Sequence, residues 1–451
     1  MQNIMKNTKT YFILTITVLL SLFSCEIEET VDPNQPSADG VLKNATIGQL
    51  NELVTGILAS TSSGLGVYYE VAGVVGRDVY RFDTADPRYV GDLMGTGNLD
   101  NSAFYTNTSY AQRYATIKTA NILIEACQNT PVLTAEQVEG YLGFANTLKA
   151  FELLNVLNQQ YDNGIRIEVA DPLNLGPFTA NAAEALAQIA TIFSEAAVHN
   201  AAAGNSFAFD LTSGFETEAD ADSFTIPANF GKFIKALQAR VELYRGNFAQ
   251  ALTFVNQSFI DESGNFNLGV YRVFANASGD RVNPLFFPQN TNGTTRLAHP
   301  TWLTDAIPGD LRLSKATIRN EVAETADLVA THDAFRYTSN TSPIAIIRNE
   351  ELLLIKAEAL IQTNQFADAK TIIDLIRVDV GGIGVYTGPL ASPEMIDELL
   401  FQRRYSLWDE GHRWIDMRRY NRLDELTIDR PGDSVIPQLP RPFNEIGVQG
   451  G

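Results

Sequence analysis

One pattern occurs twice in this chain, as Ala239-Arg-Val-Glu-Leu-Tyr-Arg-Gly246-Asn-Phe248-Ala-Gln-Ala251 and as Ala357-Glu-Ala-Leu-Ile-Gln-Thr-Asn364-Gln-Phe366-Ala-Asp-Ala369. Each copy has an alanine, a turn residue seven positions later, a phenylalanine nine positions later and an alanine twelve positions later. The alanines allow two helices to approach closely, and Gly246 or Asn364 reverses the chain direction. The phenylalanine fills the space between the paired helices. The repeat therefore predicts antiparallel helical hairpins.

Such spacing is typical of tetratricopeptide-like repeats, which stack helical hairpins into a superhelix. Helical periodicity also predicts an antiparallel pair at 110–127 and 135–161, joined by a turn at 129–131. Residues 181–199 predict an alanine-rich helix with Asn181 as its N-cap. Ser392-Pro393-Glu394 predicts a further helix, with Ser392 as the cap and proline at the first helical position. The expected fold class is all-α, a tetratricopeptide-like superhelix.

Two long segments, 62–109 and 261–310, interrupt the helical pattern. They are rich in Gly, Asn, Asp, Thr and aromatic residues and lack sustained periodicity. Long irregular segments in a compact protein are usually functional or disordered, and the aromatic content argues against disorder. A rigid helical scaffold that carries such loops is typical of a binding protein.

The N-terminus has the features of a secretory leader. Lys6 and Lys9 precede the apolar run 11–22, which is too short to span a bilayer. Cys25 follows at the expected cleavage point and resembles the lipobox cysteine of bacterial lipoproteins. We therefore predict a signal peptide at 1–24, a lipidated N-terminus and tether at 25–40, and a single folded domain at 41–451.

Composition limits the partners and the chemistry. The formal net charge of −20 disfavours binding to a phosphate backbone, so no nucleic-acid partner is predicted. Cys127 is the one cysteine besides Cys25, which leaves no cysteine-based metal site. The four histidines lack metal-ligand spacing, and no metal or cofactor is predicted. HExxH, GxSxG and P-loop motifs are absent from the sequence. We therefore expect a binding protein and not an enzyme.

The C-terminal part, about 340–451, carries three motifs of one family. The segment Arg348-Asn-Glu-Glu351-Leu-Leu-Leu-Ile-Lys-Ala357-Glu-Ala359 resembles the R-x-x-E-x-x-L-x-x-A-E-A helix of SusD/RagB proteins. Their E-R-R-x-E-L-x-x-E-G-x-R-W-x-D-L-R-R segment resembles residues 402–419, and their P-I-P-x-x-E-I ending resembles residues 436–446. Gln402 and Ser406 depart from the pattern, because the family usually has glutamates there. The interleaved charges of 403–425 are interpreted as a structural ion-pair network.

The resemblance implies a SusD-like superhelix with long irregular insertions. It also implies an outer-membrane lipoprotein, anchored at the cell surface through Cys25, that captures an oligosaccharide for polysaccharide utilisation. The implied partner is a TonB-dependent transporter of the SusC type. Three alternatives stay open: a peptide-binding RagB-like protein with the same partner, a helical-repeat adaptor, and a glycoside hydrolase, which needs two positioned carboxylates.

The candidate ligand-binding residues follow from the chemistry of sugars and from where the family generally builds its site. An apolar sugar face stacks on an aromatic ring, and polar side chains bond the hydroxyl groups. The segment 62–109 offers both kinds of group, and its candidates are Tyr68, Tyr69, Arg77, Asp78 and Tyr80. The segment 261–310 offers Trp302, the leading candidate for stacking. Arg77, Arg81 and Arg88 would suit a peptide ligand, whereas Trp408 and Trp414 are predicted to be core residues.

Overall fold

The structure is a computed structural model that describes residues 38–217 and 223–446. The predicted signal peptide, 1–24, and the predicted lipidation site, Cys25, lie outside these residues. The first helix begins at Ala38, so the last three residues of the predicted tether already belong to it. Within the described ranges, no helix combines the length and the apolar character that crossing a membrane requires.

Most of the described chain is helical. In chain order the helices are α1 Ala38–Asn44, α2 Ile47–Ser60, α3 Leu65–Val75, α4 Phe104–Asn129, α5 Ala135–Gln160, α6 Ala182–Ala201, α7 Pro227–Tyr244, α8 Phe248–Asn256, α9 Pro300–Thr304, α10 Asn349–Gln362, α11 Phe366–Leu375, α12 Ser392–Ser406, α13 Arg413–Arg419 and α14 Phe443–Ile446. Successive long helices pack as antiparallel neighbours, α4 on α5, α5 on α6, α6 on α7 and α7 on α8. The predicted helical-repeat architecture is confirmed.

Both copies of the sequence repeat form the expected hairpins, α7–α8 and α10–α11. Their turn residues adopt left-handed backbone angles, with φ of 74° at Gly246 and 60° at Asn364. Each turn closes with the same bond, from the residue after the turn residue to a carbonyl five positions earlier, 2.9 Å at Asn247 and 2.8 Å at Gln365. Glycine and asparagine tolerate this conformation better than other residues, which explains why they occupy the two positions.

Side-chain caps set the starts of several helices. The Asn181 side chain accepts a bond from the Glu184 amide, 3.0 Å, which confirms the predicted N-cap of α6. Thr134 and Gln137 form a reciprocal capping box at the start of α5. The predicted cap at Ser392 is wrong by one position, because Ser392 is already the first residue of α12 and Ala391 is the cap.

Replacing Thr134 with alanine should lower the free energy of unfolding by about 1 kcal/mol, because loss of the cap leaves the Gln137 amide without its partner. Urea unfolding followed by circular dichroism measures the change. Thr191→Ala is the control, since Thr191 is exposed within α6 and caps nothing. An equal decrease in the free energy of unfolding in the two variants would contradict the capping role.

Two small sheets complete the fold. The strands are β1 Val79–Asp83, β2 Gly269–Arg272, β3 Thr294–Ala298, β4 Ala316–Thr325, β5 Leu328–Ala334 and β6 Ile344–Arg348. One sheet has the order β1-β3-β5-β4 and the other pairs β2 with β6, all antiparallel. The prediction of irregular structure throughout 62–109 and 261–310 is therefore wrong. These segments contain α3, α9 and three strands whose partners lie far away in the sequence.

The core has a helical part and a part beneath the larger sheet. The second part contains all three tryptophans of the chain, and Trp408 and Trp414 are buried as predicted. Buried ion pairs tie the C-terminal helices together: Arg403 bonds Asp416 at 2.7 Å, and Arg419 bonds Glu358 at 2.7 Å. This confirms the structural interpretation of the charges in 403–425.

Candidate functional site: an arginine–aromatic surface

Strand pairing brings the two predicted insertion segments together. β1 belongs to the first segment and β3 to the second, and they pair from Val79 opposite Ala298 to Asp83 opposite Thr294. The amide of Thr84 extends the ladder to the Gly293 carbonyl at 2.8 Å. The loop that leaves β1 and the loop that enters β3 therefore lie side by side at one end of the sheet.

A continuous line of rings and guanidinium groups runs across this end. The Arg81 guanidinium lies over the Phe287 ring at 4.7 Å and over the Tyr89 ring at 5.0 Å. The Tyr89 ring contacts the Phe104 ring, with centroids 5.0 Å apart. The Arg88 guanidinium covers Phe104 at 4.7 Å. We call these five residues, Arg81, Arg88, Tyr89, Phe104 and Phe287, the arginine–aromatic surface.

Carboxylates hold both arginines in place. Arg81 donates to Glu70 at 2.7 Å and to Asp83 at 3.0 Å. Arg88 donates to Asp86 at 2.7 Å. Arg81 is buried, whereas the Arg88 side chain is 43% exposed. The surface therefore combines one fixed cation with one that solvent or a ligand can reach.

The ionisation states follow from these contacts. The hydrogen bonds from Arg88 lower the pKa of Asp86. Burial, together with the carboxylate of Glu70, raises the pKa of the Tyr89 hydroxyl. At neutral pH the surface therefore presents a carboxylate, guanidinium groups and a neutral phenol. Phe104 and Phe287 are half-buried and keep part of each ring open.

The predicted ligand residue Trp302 lies elsewhere. It belongs to α9, is 0% exposed, and stacks on Trp408 and Tyr405 with centroid distances of 4.2 and 5.7 Å. Both rings come from the C-terminal motif, about a hundred positions later in the chain. The expectation of an open ring in a loop is therefore wrong, and a sugar has no face of Trp302 on which to stack.

Arg77 and Tyr80 belong to a buried network around Asp429. The Tyr80 hydroxyl donates to Asp429 at 2.7 Å, Arg77 approaches it at 3.3 Å, and a ring nitrogen of His299 lies 3.0 Å away. His299 is fully buried and its other ring nitrogen caps α9. These contacts join β1 and α9 to the C-terminal segment and hold Arg77 and Tyr80 in the interior.

Asp78, Tyr68 and Tyr69 are also interior. Burial raises the pKa of Asp78 to about 7. Tyr68 and Tyr69 lie on α3, are each 7% exposed, and meet edge to face at 5.3 Å. The Asn158 amide donates to the Tyr68 hydroxyl at 3.0 Å. The six predicted ligand residues are therefore all buried, and none of them belongs to the arginine–aromatic surface.

Sequence reasoning missed the rings of the surface. Tyr89, Phe104 and Phe287 were not singled out, although Arg81 and Arg88 were noted as candidates for a peptide ligand. The available signal was local: the pairs Arg88-Tyr89 and Phe286-Phe287 place aromatic residues inside segments rich in Gly, Asn and Asp. In the described part of the chain, no group of three or more His, Cys, Asp or Glu side chains is arranged to hold a metal ion.

The fold is a helical-repeat superhelix that carries the arginine–aromatic surface at the end of a small sheet. Residues 322–438 match the sequence model of the SusD family. A stretch of 90 residues is 34% identical to SusD-like protein P38 of Formosa agariphila. That match covers 18% of this chain and 18% of the relative, so it spans well under two thirds of the relative's length.

Solved structures extend the similarity to the whole fold. A SusD superfamily protein from Bacteroides vulgatus matches over 89% of this chain and 96% of its own, with 15% identity and a TM-score of 0.66. A laminarin-binding SusD-like protein matches over 90% and 98%, with 19% identity and a TM-score of 0.63. The family match of residues 322–438 confirms the resemblance of the C-terminal motifs. The solved structures show that the fold is the one found in SusD superfamily proteins.

Proposed function

We propose that this protein binds an oligosaccharide at the arginine–aromatic surface and delivers it to a SusC-like TonB-dependent transporter. The observation that carries the proposal is the line of rings and guanidinium groups assembled by the β1–β3 pairing. Half-buried rings supply apolar faces for a sugar, and Arg88 and Asp86 supply a donor and an acceptor for hydroxyl groups. A structural neighbour that is itself described as laminarin-binding supports this choice of ligand.

The carboxylates of the surface favour binding over hydrolysis. A glycoside hydrolase needs one carboxylic acid with a raised pKa to protonate the leaving group. Here the hydrogen bonds from Arg88 shift the pKa of Asp86 in the opposite direction, and Arg81 engages both Glu70 and Asp83. With its pKa lowered, Asp86 accepts hydrogen bonds but has no proton to donate at neutral pH. The proposed activity is therefore capture without conversion.

The proposed location is the outer face of the outer membrane, with lipidated Cys25 as the anchor. Twelve residues separate Cys25 from Ala38, where α1 begins. A chain of that length spans at most about 45 Å. The folded part would therefore stay within reach of a transporter in the same membrane, as delivery requires.

Phe287→Ala should weaken oligosaccharide binding about tenfold, because it removes a ring face and frees the Arg81 guanidinium that the ring covers. Isothermal calorimetry of the chain from residue 26 onward, titrated with laminarin oligosaccharides and other glycans, measures the change. Phe254→Ala is the matched control. Phe254 is also a half-buried phenylalanine under a cation, Lys235 at 4.6 Å, but it lies on the α7–α8 hairpin.

The same titrations separate the alternatives. Loss of glycan binding in Phe287→Ala with normal binding in Phe254→Ala supports the proposed site. Saturable binding of peptides, with no binding of any glycan, would instead favour the RagB-like alternative. Chromatography of the mixtures after titration tests catalysis, since shorter products would contradict capture without conversion.

A further inference from the structure

A cavity lies among the helices, and the elements that form it differ from those of the arginine–aromatic surface. It has a volume of about 630 Å³ and opens between the end of α5, the start of α6, the α7–α8 turn and α13. That volume falls in the range of small-molecule sites. Its polar lining includes Asn158, Tyr161, Asn181, Tyr244, Asn247 and Arg418.

Arg418 is the unusual member of this lining. It is 7% exposed, and its guanidinium donates to the carbonyls of Pro437 and Asn158, each at 2.8 Å. It stacks on the Tyr161 ring at 4.1 Å. Within residues 38–217 and 223–446, no carboxylate forms an ion pair with it, and its Nε has no hydrogen-bond partner. Burial lowers the pKa of Arg418 to about 10, so it remains a cation at neutral pH.

A buried cation without a counter-ion is costly, which makes an anion in the adjacent cavity favourable. The other charged residues of the lining also favour an anion. Arg245 and Arg419 also line the cavity, although each already pairs with a glutamate, Glu242 and Glu358 respectively, at 2.7 Å. Asp162 is the single acid of the lining, and it accepts a bond from the Ala182 amide at 3.3 Å.

The start of α6 adds to the positive electrostatic potential in the cavity. Ala182 and Ala183, the first two residues of this helix of 20 residues, line the cavity. The positive end of the helix dipole therefore faces the same space as Arg418. The rings of Tyr161 and Tyr244 and the amides of Asn181 and Asn247 surround that space. Rings and amides are the groups that bind the faces and hydroxyls of a sugar.

We propose that this cavity binds the carboxylate of an acidic sugar, a uronic acid or the uronate end of a short oligosaccharide. The carboxylate lies toward Arg418 and the start of α6, and the pyranose ring lies against the tyrosines. This site is separate from the arginine–aromatic surface and does not depend on the function proposed for it. The protein would thus recognise two sugar chemistries at two places.

Ala183 offers a test that leaves the existing contacts in place. It is exposed in the first turn of α6, where an acidic side chain suits the helix dipole and should not impair folding. Ala183→Glu adds a negative charge at the cavity, and Ala183→Gln adds the same bulk without the charge. We expect D-glucuronate to bind Ala183→Glu about tenfold more weakly than Ala183→Gln. Calorimetry of the chain from residue 26 onward measures both affinities.

A second variant tests the cation directly. Arg418→Gln should abolish glucuronate binding, and a melting curve shows whether the variant is folded. Phe287→Ala should bind glucuronate normally, which distinguishes this site from the arginine–aromatic surface. If Phe287→Ala lost glucuronate binding, a separate site would be excluded.

Five other outcomes would overturn the proposal. No saturable glucuronate binding, or equal affinity of the two Ala183 variants, would remove the anion site. Glucose that binds as tightly as glucuronate would remove the role of the carboxylate. Sulfate that displaces glucuronate at equal concentration would reveal a general anion site. A peptide that binds through its free C-terminus more tightly than glucuronate would show that the ligand class is wrong.

Discussion

Trp302→Ala is expected to lower the free energy of unfolding by about 3–5 kcal/mol, the usual range for removing a buried tryptophan. The ring is 0% exposed and lies 4.2 Å from the ring of Trp408, with Tyr405 stacked nearby. Its removal leaves a cavity that the surrounding strands and helices fill only in part. Urea unfolding followed by circular dichroism measures the loss.

Binding measurements on Trp302 variants decide between packing and ligand contact. Trp302→Phe keeps most of the apolar volume and should bind oligosaccharide like the unaltered protein. Phe287→Ala should show the reverse pattern, with weak binding and a stability change well below that of Trp302→Ala. A folded Trp302→Phe variant that had lost glycan binding would instead restore Trp302 as a ligand residue.

Glu410→Gln should cost about 3 kcal/mol or more of unfolding free energy. The Glu410 side chain is 8% exposed and accepts bonds from Arg348 at 2.8 Å and from Arg336 at 2.9 Å. Burial alone would raise the pKa of Glu410, but the two guanidinium groups hold it well below the usual range. Removing the charge takes away the carboxylate that pairs with Arg336 and one of the two that pair with Arg348, the other being Glu350. In such a poorly solvated site, breaking an ion pair costs about 3–5 kcal/mol.

Asp397→Asn is the control for Glu410→Gln. Asp397 also pairs with an arginine, Arg422 at 2.5 Å, but its side chain is 61% exposed. Exposed pairs contribute about 0–1 kcal/mol, so this variant should unfold at nearly the same urea concentration as the unaltered protein. A similar decrease in the free energy of unfolding in both variants would mean that burial does not determine how much these ion pairs stabilise the protein.

The helical part of the fold was predictable because its signals are local. The spacing of Ala, Gly or Asn, and Phe specifies a hairpin within thirteen residues, and Asn181 specifies a cap within four. The sheet gave no such signal. β1 and β3 are short and meet partners far away in the chain, so their pairing depends on contacts that no window of sequence contains.

The burial of Trp302 was not predicted for the same reason. Trp302 lies among Pro, Thr, Gly and Asp residues, which is the composition of a loop, and its burial depends on Tyr405 and Trp408. The ion pairs follow the same rule. The partners of Glu410 are Arg348 and Arg336, which lie 62 and 74 positions earlier in the chain.

The pairing of β1 with β3 has a consequence for the order of events during synthesis. β1 emerges early, but its partner strand emerges only after most of the helices, and the C-terminal segment that bonds Arg77 and Tyr80 emerges last. The helical hairpins rest on local contacts and can form as they appear, whereas the long-range pairing has to wait. Competence to bind a ligand is therefore one of the last properties that the nascent chain acquires, and a chain cut short before β3 would have stable helices but no arginine–aromatic surface.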